Sequence, residues 1–262
     1  MVFNRRWYDD EDFNIFDLKN FYSDLEFTKY LREVRNEFLA ISQYFYSKFS
    51  KALWVPESKT VNKLIVLEKA KKIGFNVPST YLVSEKSNLI ELLEKHEKLI
   101  TKASGDIWPI QTEQSLLTFL TKRITLKELE VIGDVFFPSL IQEEIEKEYE
   151  VRIFYFFGEL HSMAILSQND PTTEVDFRNY NHSKLSRMVP YQMDSKTSTL
   201  IVLLMNDLGL NTGSIDLIYK NDRYYFLEVN PVGQFDMVEV PCEYGLYEII
   251  AKKLISLDPQ NS

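Results

Sequence analysis

Phe226-Leu227-Glu228-Val229-Asn230-Pro231-Val232-Gly233-Gln234-Phe235 alternates apolar and polar side chains up to a proline and then meets a glycine. Tyr224–Val229 therefore reads as a strand that closes at Asn230-Pro231. Ser214–Tyr219 reads as its partner across the polar turn Asn221-Asp222-Arg223. With those three residues as the loop, Asp216 lies directly opposite Glu228, and Asn230, two residues further on, shares their face. Like charges facing each other across a sheet repel. A hard divalent cation relieves that repulsion, and two carboxylates with an amide oxygen are magnesium-type ligands. Ile215, Leu217, Leu227 and Val229 are then expected on the apolar opposite face. The same letters also describe the acidic, solvated face of an edge hairpin, with Asn230-Pro231 as a plain strand end. Spacing leaves both readings open.

Upstream, Val151–Phe157 and Leu160–Leu166 form a first hairpin about Gly158-Glu159. Residues 167–183 are polar and irregular, and a helix over Lys196–Leu208 ends at Gly209. Glu243–Leu257 reads as a closing helix. Toward the amino terminus, Ser23 and Glu26 make a capping box that opens an amphipathic helix running to Phe49. Trp54-Val55-Pro56 ends that unit. Asn62 caps a second helix, Lys63–Ile73, closed by Gly74. Strands are expected at Ser79–Val83, Leu99–Lys102 and Pro138–Ile145, with a helix near Leu89–Glu97. The pattern is α+β, divided at 1–58, 59–141 and 142–262.

The chain has 262 residues with a formal charge of −9, against a generic nucleic-acid-binding surface. No apolar run is long enough to span a membrane, and no secretory signal opens the sequence, so a cytoplasmic protein is expected. The single cysteine, Cys242, forms no internal disulfide, and His96, His161 and His182 have no metal-ligand spacing.

The arrangement Asp216…Glu228-Val229-Asn230-Pro231 resembles the metal-binding end of the ATP-grasp ligases. The longer stretch to Phe235 looks like the graspetide (microviridin-type) macrocyclases and the grasp-with-spasm peptide maturases. Upstream features follow in the family's order: Asn62-Lys63 with Gly74 and Pro78-Ser79-Thr80, Lys102 at a strand end, the hinge Gln142-Glu143-Glu144-Ile145, Glu150-Val151-Arg152, and Asp176-Phe177-Arg178. The similarity covers roughly residues 60–258. It implies an α+β ATP-grasp fold, two lobes with ATP between them, behind a shortened amino-terminal segment. Relatives carry a full small α/β domain there, whereas this chain begins near its last strand, at Phe3-Asn4-Arg5-Arg6. The loop Ala103-Ser104-Gly105-Asp106 would cover phosphates with a single glycine.

The resemblance also implies roles. Lys63 and Lys102 would neutralise ATP phosphates. Glu143 would accept from the adenine amino group, backbone groups of Glu144 and Ile145 would read the base edge, Gln142 and Glu150 would complete the nucleotide site, and Glu148 would meet the ribose. Asp216, Glu228 and Asn230 would hold Mg2+. Arg152 and Arg178 would stabilise charge on the transferring phosphoryl group and the tetrahedral intermediate. The implied reaction is ATP-dependent formation of ester or amide crosslinks in a leader-recognised ribosomal precursor peptide through an acyl phosphate, with no nucleic-acid or membrane partner and a homodimer possible. Simpler readings stand beside these. Lys63 suits a helix surface, and 143–150 suits a solvated acidic patch. Arg152 suits a salt bridge, and Arg178 an exposed loop. His161 reads as structural, while His182 remains a candidate base near Arg178. Addition of a free amino acid to a carboxylate, or a non-catalytic binding module, are the rival functions.

Overall fold

The computed structural model describes residues 2–3, 23–56, 61–105, 110–111, 116–117, 120–168 and 186–257. The chain divides into two compact units, Met1–Ser58 and Lys59–Ser262. In the first, β1 (Val2–Phe3) pairs in parallel with β2 (Trp54–Val55), and α1 (Asp24–Lys48) runs between them in the sequence. The capping box forms: the Ser23 hydroxyl accepts the Glu26 N–H at 3.4 Å, and the Glu26 carboxylate accepts the Ser23 N–H at 3.0 Å. Of the apolar positions along α1, Phe27 is buried, while Leu31, Ile41 and Phe45 are exposed.

The second unit runs α2 (Lys63–Ile73), β3 (Thr80–Glu85), α3 (Lys86–Lys95), β4 (Leu99–Lys102), β5 (Ile110–Gln111), β6 (Leu116–Leu117), β7 (Lys122–Arg123), α4 (Leu126–Val131) and β8 (Val135–Glu143). It continues with β9 (Tyr149–Phe156), β10 (Glu159–Leu166), β11 (Arg187–Tyr191), α5 (Ser195–Leu208), β12 (Thr212–Lys220), β13 (Arg223–Asn230), α6 (Asp236–Cys242) and α7 (Leu246–Ser256). Two antiparallel sheets carry the architecture, one ordered β3-β8-β4-β7 and the other β11-β10-β9-β12-β13. β5 and β6 make a separate small pair. Val83, Leu89, Leu99 and Ile141 centre the core of the four-stranded sheet. On the five-stranded sheet, Val151, Ile153, Ile215, Leu217, Phe226 and Val229 pack with Val66, Leu67 and Ala70 of α2 and Ile201, Leu204 and Met205 of α5. Alternation leaves the other face of that sheet to Glu150, Arg152, Asp216, Glu228 and Asn230.

α2 begins and ends as its sequence predicts. Asn62 Oδ1 accepts from the N–H groups of Leu64 and Ile65 at 3.0 and 3.2 Å, and Gly74 closes the helix with φ 114°. The hairpins differ from expectation. The β9–β10 turn is Phe157-Gly158, both at positive φ, because Phe156 pairs with Glu159. The β12–β13 turn is the two residues Asn221-Asp222, at φ 50° and 57°, rather than 221–223. This is the left-handed pair that matches strand twist, which Asn and Asp tolerate. A two-residue turn alone places Asp216 opposite Leu227. A β-bulge between Asp216 and Leu217 restores the pairing with Glu228, since Leu217 pairs with Phe226 and Asp216 with Glu228. Leu227 is the extra residue. It leaves the apolar face, where Phe226 takes its place at 0% exposure.

The expected closing helix over Glu243–Leu257 is present as α7, Leu246–Ser256; α6 precedes it and was not expected, and Glu243 and Gly245, both in left-handed conformation, separate the two. The strand expected over Pro138–Ile145 is shifted to Val135–Glu143. α4 was not anticipated, although Thr125 and Glu128 carry its capping box. Hydrogen bonds from Lys122 and Thr125 hold the Glu128 carboxyl down at about 2.

Candidate active site

Where the two sheets meet, a pocket opens that is lined by Ile100 and Lys102 of β4, Gln142 and Glu143 of β8, the connecting residues Glu144, Ile145 and Lys147, Glu150 of β9, Ile218 of β12 and Leu227 of β13. Pro78 and Thr121 complete the wall. Lys102, Gln142, Glu143, Glu144, Ile145 and Glu150, scattered over 49 positions of sequence, thus face one cavity. Leu227 reaches the cavity because of the bulge.

Gln142 is fully buried. Its Nε2 donates to Thr80 Oγ1 at 2.8 Å, and the Thr80 hydroxyl gives its single proton to the Pro78 carbonyl at 2.8 Å. The direction of that chain fixes the amide: nitrogen toward Thr80, oxygen away from it. Gln142 Oε1 is then a buried acceptor that finds no donor among the described residues. A buried amide oxygen without a donor is costly, and a ligand N–H within its reach would relieve that cost.

The acidic run 143–150 is tied down residue by residue, although Glu146 and Glu148 remain solvent-exposed. Glu143 Oε2 accepts the Ser79 N–H at 3.3 Å. Glu144 takes a two-pronged bond from Arg123, and Glu146 pairs with Lys98. Glu148 Oε1 accepts the Asn221 N–H at 2.8 Å, which places the candidate ribose partner on the hairpin turn. Lys147 Nζ lies 2.5 Å from Glu150 Oε1, with its side chain 3% exposed. Neither Lys147 nor Arg123 stood out in the sequence. A cation one turn from an acidic strand residue was the available signal for Lys147. Arg123 had none, since its partner lies 21 residues away.

Beside the pocket, Arg152, Asp216 and Glu228 form one row across β9, β12 and β13. Arg152 Nη1 sits 3.0 Å from both Asp216 oxygens, and Nη2 donates to Gln234 Oε1 at 2.7 Å. Lys63, at the first position of α2, places Nζ 2.9 Å from Glu228 Oε2 and 3.3 Å from the Ala103 carbonyl. Lys63 therefore stands with the acidic pair and does not line the pocket. Asn230 Oδ1 accepts the Val232 N–H at 3.1 Å, leaving a second lone pair on that oxygen. Asp216 and Glu228 retain 15% and 25% side-chain exposure. The donor set of two carboxylates and one amide oxygen, reachable from one face, fits a hard cation. Among the described residues no three His, Cys, Asp or Glu gather into an alternative metal site.

The loop after β13 sets Gln234 against Arg152. Gly233 has φ 85°, and a Cβ there would come within 3.2 Å of Phe154 Cε2 and 3.3 Å of Thr212 Oγ1. Gly233→Ala is expected to cost about 1–3 kcal/mol through backbone strain and crowding, seen as a lower urea midpoint.

His161 stacks near Phe154 and Tyr244, and burial holds it below its usual range, so it is a neutral packed ring. Burial raises the Cys242 thiol, leaving it a poor nucleophile. Arg178 and His182 lie outside the described residues. Among the described residues no helix is long and apolar enough to cross a membrane.

No protein-family model and no curated protein matches the chain. Solved structures do. Macrocyclase MdnC from Microcystis aeruginosa MRC, bound with precursor peptide MdnA, is 29% identical with TM-score 0.58 over 68% of this chain. The chain spans 56% of the length of MdnC. A RiPP-associated ATP-grasp ligase from Chryseobacterium gregarium, in complex with ADP and a leader and core peptide, gives TM-score 0.74 at 22% identity, covering 92% of this chain and 73% of that one. ATP-grasp ligase PsnB, complexed with minimal precursor, Mg and ADP, gives 0.72 at 15%, covering 97% and 76%. The two antiparallel sheets of this chain, with the pocket at their junction, form the ATP-grasp ligase fold.

Proposed function

We propose that this chain is an ATP- and magnesium-dependent carboxylate ligase that crosslinks side chains within a ribosomally made precursor peptide. The observation that carries the nucleotide half is the buried acceptor Gln142 Oε1 without a donor, on a residue that lines the pocket at the end of β8. Adenine offers an amino group to such an atom, whereas guanine offers a carbonyl oxygen that repels it. Gln142, rather than Glu143 with its bond to Ser79, is thus the better reader of the adenine amino group. Glu144 and Ile145 would flank the base edge and Lys102 would face the phosphates, while Lys63, outside the pocket, would approach them only from beside Glu228. The similarity to MdnC, a macrocyclase bound with its precursor peptide, supports the peptide half.

In the reaction, an Asp or Glu side chain of the peptide attacks the γ-phosphorus of ATP, and ADP leaves. A Ser/Thr hydroxyl or a Lys amine of the same peptide then attacks the acyl carbon, and inorganic phosphate leaves with the proton passing to solvent. The peptide loses one water per ring. Magnesium, when bound, neutralises charge on the transferring phosphoryl group. Asp216, Glu228 and Asn230 are the residues that would hold it. Arg152, immobilised by Asp216 and Gln234, would present a fixed positive charge beside the reacting groups. Arg178 remains a candidate for the same task from 169–185, and a cytoplasmic homodimer is the setting we propose.

The test is intact-mass measurement of candidate precursor peptides after incubation with the protein and magnesium-ATP. Loss of water is expected; a mass gain instead would support addition of a free amino acid. ATP binding without any product from the peptide that binds would reduce the chain to a binding module. For the nucleotide half, Gln142→Leu is expected to weaken magnesium-ATP binding about 10-fold, the size of one hydrogen bond, and to narrow the preference over GTP. Calorimetric titration with both nucleotides checks it.

A further inference from the structure

Arg123 lies on β7, opposite Ile100 of β4. Its Nε donates to Glu144 Oε2 at 2.6 Å and its Nη2 to Glu144 Oε1 at 2.5 Å, so one guanidinium edge grips both carboxylate oxygens. Glu144 is one residue beyond β8, and its side chain is 8% exposed while that of Arg123 is 35% exposed. Its backbone N–H also donates to the Lys98 carbonyl at 3.0 Å. Both Glu144 and its neighbour Ile145 line the pocket.

We propose that Arg123 is a positioning residue for nucleotide recognition, acting through Glu144 to hold this carboxylate out of the space that the base occupies. The proposal rests on the nucleotide reading of the pocket given above. A carboxylate at this wall is a hazard for that task in two ways. It is an anion beside a site for a polyanion. It is also a pair of acceptors that suit the N1–H and amino group of guanine better than adenine, whose ring nitrogens repel it. The fork from Arg123 answers both, since it neutralises the charge and engages both oxygens. A lysine supplies the charge without the planar fork, which separates the two contributions.

The experiment is calorimetric titration of magnesium-ATP, magnesium-GTP and magnesium-tripolyphosphate into the wild-type chain, Arg123→Met, Arg123→Lys and Glu144→Gln. Lys69→Met removes the Lys69–Asp207 ion pair between α2 and the end of α5, and serves as a control for a general loss of stability. Arg123→Met is expected to weaken ATP about 10-fold and GTP far less, so that the ATP-to-GTP affinity ratio falls. Tripolyphosphate should weaken only modestly. Arg123→Lys should recover part of the ATP affinity but not the full ratio. A role confined to stability predicts an unchanged ratio in Arg123→Met, as in Lys69→Met. Wild-type binding with a ratio within twofold of normal in Arg123→Met overturns the proposal and leaves the nucleotide reading intact. Should Arg123→Met fail to fold, an unchanged ratio in both Arg123→Lys and Glu144→Gln overturns it. No magnesium-ATP binding by the folded wild type overturns the nucleotide reading itself, and this proposal with it.

Discussion

Glu228→Gln is expected to reduce magnesium-dependent turnover by a factor on the order of 10²–10³ while leaving the protein folded. The carboxylate faces Asp216 across the hairpin and meets Lys63 Nζ at 2.9 Å. The amide keeps the shape and one acceptor oxygen, so packing at this partly exposed position changes little. What disappears is an anionic ligand for a hard cation, together with the charge that holds the Lys63 ammonium. ADP release and peptide mass, measured over a magnesium titration, report the loss. Unimpaired water loss from the peptide by Glu228→Gln would remove Glu228 from the metal assignment. A full return of activity at high magnesium would instead mark it as a ligand whose weakness mass action overcomes.

Arg152→Met is expected to have the largest effect on the fold itself. The guanidinium is buried between Asp216 and Gln234, and its loss removes the positive charge that balances Asp216 where it faces Glu228. Removing one partner of a buried pair costs about 3–5 kcal/mol, and the residual exposure of Asp216 lowers that to about 2–3. Urea denaturation measures it. The double variant Arg152→Met/Asp216→Asn should recover about half, because the stranded charge is gone. If the single and double variants unfold at the same midpoint, charge stranding is not the source of the loss. Activity should stay absent in both.

Local chemistry made several elements readable in advance. The Ser23–Glu26 box, the Asn62 cap and Gly74 are bonds between residues a few positions apart, so their spacing carries the whole signal. The facing of Asp216 and Glu228 was also readable, but for an incomplete reason. A three-residue loop with a regular ladder and a two-residue loop with one bulge give the same opposition, and alternation alone does not separate them. They differ from the turn up to Leu227, where every pairing moves by one residue and Phe226 takes the place of Leu227 on the apolar face. β11 escaped because Pro190 argues against a strand, and its edge position is where a proline is admitted. The Thr125–Glu128 box was legible and overlooked. The state of Gln142 was not legible at all. Its oxygen is open only because Thr80 gives its proton to Pro78, a chain of bonds joining positions 62 residues apart. Arg123 and Glu144 meet by the same long-range route.

The extra residue in β13 separates two tasks that a regular strand would bind together. Along an uninterrupted ladder, every side chain between the turn and Asn230 has its side dictated by its neighbours, so the acidic pair and the pocket floor would vary as one. Leu227 sits outside that alternation. Its size sets the shape of one wall of the cavity, while main-chain pairing alone keeps Asp216 against Glu228. A substitution at this single position can thus enlarge, shrink or reshape this corner of the pocket without turning the acidic pair beside it.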